Sequence, residues 1–110
     1  IVLYQFSYNG QVKKGYRALN ERDYTTAEEK FEKAISKKPK KGEAYTGLSQ
    51  MYMKQSKKTA AEKVFIDAIE EYSGSVEIYE ACIQFYLEVK DNNKIPLLLE
   101  NAEEKVKNTN

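Results

Sequence analysis

TTAEEKFEKAISKKP, residues 25–39, decides the fold, because its apolar positions recur at a fixed distance along the chain. Ala27, Phe31, Ala34 and Ile35 are separated by steps of four, three and one, which places them on one face of an α-helix. Glu28, Glu29, Lys30, Glu32 and Lys33 fill the wet side. Thr25 with Glu28 three residues later reads as a capping box, and Pro39 reads as the stop. A helix over about 25–38 is expected.

Moving 34 residues forward turns Ala27 into Ala61, Phe31 into Phe65, Ala34 into Ala68 and Ile35 into Ile69. The Thr25–Glu28 pair returns as Thr59–Glu62. A further step gives Ile95, Leu99 and Ala102 for Ala61, Phe65 and Ala68. The intervening stretches repeat as well: Tyr45 pairs with Tyr79, Leu48 with Cys82, Tyr52 with Tyr86, and Ser49 with Gly15 behind it. Two prolines and five glycines in 110 residues leave room for helices throughout. Pro96 is tolerated if it lies in the first turn of a last helix over about 94–107, capped by Asn92 or Asn93.

A 34-residue unit of two helices resembles the tetratricopeptide repeat family. The best copy is EAYTGLSQMYMKQSKKTAAEKVFIDAIEEYS (43–73), with Tyr45, Leu48, Ser49, Tyr52, Ala61, Phe65 and Ala68 at the family's positions. The first unit carries Gly15, Tyr24, Ala27, Phe31, Ala34 and Pro39, and departs at Gln11 and Ala18. The third carries Tyr79, Tyr86, Leu99 and Ala102, and departs at Ile83. The resemblance implies an all-α right-handed superhelix of about three helical hairpins, with repeats at about 8–41, 42–75 and 76–109 and an N-terminal stub or linker at 1–7.

Composition narrows the function. Eighteen basic and seventeen acidic residues give a net charge of +1, which argues against a nucleic-acid surface. Histidine is absent and Cys82 is the only cysteine, so a His-based acid–base pair, a His/Cys zinc site and an internal disulfide are all excluded. Cys82 takes the slot of Leu48 and reads as a small buried hydrophobe. Glu77, Glu80 and Glu88 read as a solvated helix face and not as a metal site. With no phosphate-binding glycine loop either, neither an enzyme nor a cofactor is expected. IVLYQFSY (1–8) is apolar but too short to span a bilayer. It reads as a chain edge partly packed on the first helix, with the end of a membrane anchor upstream of Ile1 as the alternative. A start at Ile1 suggests a piece of a longer protein, and both a cytoplasmic and a bacterial membrane-anchored location suit the chain.

The resemblance also implies a use. In the family the first helix of each unit lines a concave groove that takes a peptide or helix of another protein. Carried over position by position, the groove residues are Val12, Tyr16, Leu19 and Asn20, then Thr46, Gln50, Met53 and Lys54, then Glu77, Glu80, Gln84, Leu87 and Glu88. Tyr16, Leu19, Met53 and Leu87 are read as apolar residues free of packing duty, and Asn20, Gln50 and Gln84 as partners for a peptide backbone. The clamp with which co-chaperones of this family hold acidic chaperone tails would need basic or amide side chains at Val12, Tyr16, Gly47, Glu77 and Ala81, and none is present. A groove without that clamp is the expected site, with self-association of a structural domain as the alternative.

Overall fold

The computed structural model describes residues 3–109. Among them six α-helices follow one another without a strand: α1 (Tyr8–Asn20), α2 (Tyr24–Lys37), α3 (Glu43–Lys54), α4 (Lys58–Glu71), α5 (Val76–Glu88) and α6 (Ile95–Thr109). Single 3₁₀ turns at Leu3–Phe6 and Asn92–Lys94 lead into α1 and α6. The all-α class is therefore observed, and the helices pair as three hairpins, α1–α2, α3–α4 and α5–α6.

The repeat is written into the backbone. Arg22, Ser56 and Lys90 are the non-glycine residues with positive φ among those described, at 61°, 60° and 63°. They stand one period apart, each in the turn inside a hairpin. One residue further on, the amides of Asp23, Lys57 and Asp91 each donate to the carbonyl five residues back, on Ala18, Tyr52 and Tyr86, at 2.9 Å. A left-handed residue followed by this backward bond satisfies carbonyls at the end of the first helix and sends the chain back antiparallel.

Both expected capping boxes are corrected. α2 begins at Tyr24, and its cap is Asp23, whose side chain accepts from the Thr26 amide at 3.2 Å. α4 begins at Lys58 with no side-chain cap, so Thr59 already lies inside its first turn. The two glutamates have another task. Tyr52 donates its hydroxyl to Glu28 at 3.2 Å and Tyr86 to Glu62 at 2.7 Å, so each ties a hairpin to the next. At the last helix Pro96 does sit in the first turn. Asn92 and Asn93, expected as caps, are part of the preceding 3₁₀ turn instead.

The odd helices pack side by side, α1 on α3 and α3 on α5, while α2, α4 and α6 do not approach one another that closely. The stack thus has a tight layer of odd helices and a spread layer of even ones, in a slab of 41 × 33 × 16 Å. Two cores run through it. One holds Tyr8, Val12, Ala18, Leu19, Ala27, Phe31, Ala34, Ala44, Leu48 and Met51. The other holds Tyr45, Ala61, Phe65, Ala68, Ile78, Cys82, Phe85 and Tyr86. Ile35, Tyr52 and Val64 pack against both.

Of the apolar start, Ile1 and Val2 lie outside the described residues. The rest is pinned to α1. Ser7 Oγ donates to the Tyr4 carbonyl at 2.6 Å and accepts from the Gly10 amide at 3.0 Å, and Gln11 Nε2 donates to the Gln5 carbonyl at 2.8 Å. A side chain at Gly10 would overlap the Tyr4 carbonyl, so this crossing needs glycine. The departure at Gln11 thus has a local purpose.

Candidate functional site: a groove across the odd helices

The first two hairpins close completely on their shared aromatic. The Phe31 ring is wedged between α1 and α3, where a Cβ at Gly15 would fall 2.6 Å from the ring and one at Gly47 would overlap it. Tyr16 then sets its ring edge-on against Phe31, centroids 5.1 Å apart.

One period later the same place is built differently. Phe65 replaces Phe31, but Ser49 and Ala81 stand where Gly15 and Gly47 stood, and Gln50 stands where Tyr16 stood. A ring set as close to these positions as Phe31 is to Gly15 and Gly47 would meet the Cβ atoms of Ser49 and Ala81. The Phe65 ring instead packs beside Phe85 at 5.5 Å. A cavity of about 490 Å³ opens between α3 and α5, lined by Thr46, Ser49, Gln50, Met53, Lys54, Phe65, Ala81, Gln84, Phe85, Glu88 and Val89. Aromatic and aliphatic groups form its floor, and amides and charges form its rim. Ser49 is only 2% exposed, and its hydroxyl has no hydrogen-bond partner. In a buried setting that is a standing cost.

The groove residues expected from the sequence therefore divide. Thr46, Gln50, Met53, Lys54, Gln84 and Glu88 line this one cavity. Asn20, Glu77, Glu80 and Leu87 are exposed but outside it. Three are corrected. Val12 and Leu19 are 5% and 2% exposed and belong to the first core, so neither is offered to a partner. Tyr16 is half-buried and packs on Phe31, so it is not free of packing duty. Its phenol is pushed up by burial, with Glu43 adding to the effect.

Glu88 and Lys54 are the charged residues that line the cavity, one from each wall, and Glu77 and Glu80 lie farther along α5. α5 carries Glu77, Glu80 and Glu88 and no basic residue. Among the described residues none of the three is in an ion pair. Glu77 accepts from the Gly42 amide at 3.2 Å, and Glu88 accepts weakly from Gln84 Nε2 at 3.5 Å. Lys54 on α3 is the one base on the rim.

Ser49, Phe65, Ala81, Phe85 and Val89 complete the cavity and were not expected there. The signal for the first three was present: the glycines at 15 and 47 become Ser49 and Ala81 one period on, beside the same phenylalanine. Cys82 is 1% exposed, and burial pushes its thiol up to about 12, in keeping with a packing role. Among the described residues no acidic or cysteine cluster could hold a metal ion, and no helix is long and apolar enough to cross a membrane. Comparison of the chain with models of known families and with curated proteins finds no match.

Proposed function

We propose that this chain is an array of three hairpins of the tetratricopeptide type, and that its odd-helix face binds an extended or helical segment of another protein. The odd helices pack on one another and the even ones spread, which supports a stack curved toward α1, α3 and α5. The cavity between α3 and α5 carries the reading: an apolar floor beneath a rim of Gln50, Gln84, Lys54 and Glu88 suits a peptide that buries one side chain and presents its backbone to amides. The role is that of an interaction module or scaffold, with no catalytic step and no cofactor.

Site-specific photocrosslinking in cells tests it. A benzophenone amino acid at Gln84 should capture a partner protein that the same group at Asp67, an exposed residue of α4, does not. Capture from Asp67 alone would remove the odd-helix face from consideration.

A second reading, self-association, rests on the two ends of the stack. Leu97 and Leu99 of α6 are 64% and 50% exposed, and Leu3 and Phe6 before α1 are 83% and 58% exposed. Such ends would join head to tail. Sedimentation over a wide concentration range separates the readings, because a monomer at all concentrations leaves only the groove.

A further inference from the structure

We infer that the cavity between α3 and α5 is an anchor pocket for one tyrosine side chain of a partner polypeptide whose neighbouring residues are basic. This deepens the groove reading and rests on it. Three observations carry it.

The molecule supplies its own template. In the first stack a tyrosine, Tyr16, lies edge-on against Phe31. At the equivalent sequence positions one period later the chain has Phe65 and Gln50, and both line the cavity. An incoming ring would lie against Phe85, which is 6% exposed, and the small uncovered part of Phe65, which is 1% exposed, the two centroids being 5.5 Å apart.

The floor specifies the tip of that ring. Ser49 is nearly inaccessible, lines the cavity and has an unpartnered hydroxyl. A phenol both donates and accepts, as serine does, so a tyrosine satisfies the group in either sense. A phenylalanine would leave the already buried Ser49 hydroxyl without a partner, so tyrosine gains a hydrogen bond that phenylalanine does not. A lysine or arginine head would lose its hydration against Phe65, Phe85 and Val89.

Charge specifies the flanks. Glu77, Glu80 and Glu88 lie along α5 with no basic residue on that helix and no ion pair among the described residues. Basic residues on the α5 side of the anchor complement this wall and acidic ones are repelled by it, while Lys54 stands on the opposite rim. The contribution is that of exposed charges and weakens with salt.

The test titrates isotope-labelled protein with a short capped peptide carrying one tyrosine between pairs of lysines, followed by amide NMR shifts. Matched peptides replace the tyrosine with phenylalanine or the lysines with glutamates. The tyrosine–lysine peptide should shift the amides of Ser49, Ala81, Phe85 and Val89 and bind about tenfold more tightly than the phenylalanine peptide. Ser49→Ala should reduce that preference to near unity while the phenylalanine peptide still binds. Gln50→Tyr should put a ring into the cavity from its rim and abolish binding with an unchanged helical spectrum. Equal binding of the tyrosine and phenylalanine peptides, a preference that survives Ser49→Ala, or no shift at the four amides overturns the inference. If a partner is still captured from Gln84, the groove reading stands and only the tyrosine anchor falls. Absence of both removes both.

Discussion

Phe31 and Phe65 stand at equivalent sequence positions in successive units and are both buried, yet only Phe65 borders the cavity between α3 and α5. The difference is carried by Gly15 and Gly47 against Ser49 and Ala81. Gly47→Ala should therefore cost about 1–3 kcal/mol by overpacking the Phe31 ring. Urea denaturation should show a lowered midpoint with an unchanged slope. Glu62 gives a second test at this scale. Its carboxyl is held below the ordinary glutamate range, chiefly by the hydrogen bond from Lys94 and next by that from Tyr86. A depressed folded value contributes stability above the unfolded value and loses it as pH falls through the folded one. Between pH 7 and about pH 3, wild-type protein should lose more stability than Glu62→Gln, as read by denaturant midpoints at each pH. Residue-level detail of this kind was only partly legible. The Tyr52–Glu28 and Tyr86–Glu62 bonds recur at the period, but Thr-x-x-Glu at a helix start imitates a capping box, and pattern alone cannot tell a local partner from one on the next hairpin.

At the scale of the element, the helices were legible because steps of three and four residues mark one apolar face and α-helices pack by faces. The turns were not, because Arg22, Ser56 and Lys90 share no side-chain chemistry, only the left-handed backbone that ends the first helix of each hairpin. Glycine holds that conformation without the strain of a Cβ. Arg22→Gly, Ser56→Gly and Lys90→Gly should each stabilise the protein, by about 0.5–1 kcal/mol after the greater unfolded-state entropy of glycine is set against the relieved strain. A fall in thermal midpoint in all three would contradict the turn geometry. Leu19 shows another limit. The period aligns it with Met53 and Leu87, which are 36% and 48% exposed, whereas Leu19 is buried. Position within a unit is written in the period, but depth of cover depends on which helices close over that unit, as they do where Gly15 admits the Phe31 ring.

Across the whole molecule, the two cores are joined through Ile35, Tyr52 and Val64, and α6 contributes only half-buried residues such as Ile95 and Leu98 to the second. α1 buries seven residues and α6 has none fully buried among those described, so stability should decline toward the C-terminal helix. Native-state hydrogen exchange should find α6 amides exchanging fastest of the six helices and α1–α3 amides slowest. Uniform protection would mean that the stack opens only as one unit. The groove belongs to this scale too. The period indicated which helices line it, and six of thirteen expected residues meet in the cavity, Thr46, Gln50, Met53, Lys54, Gln84 and Glu88. Its location between the second and third hairpins came from small-residue substitutions whose effect appears only when three helices are packed.

The face built by α3 and α5 is proposed to bind polypeptide. The most direct measurement is the affinity, by isothermal titration, of the partner segment crosslinked from Gln84 for wild-type protein and for Gln50→Tyr. Filling the cavity should weaken binding by at least about tenfold while leaving the fold intact. An unchanged affinity in a folded Gln50→Tyr protein would place the binding elsewhere and contradict the account.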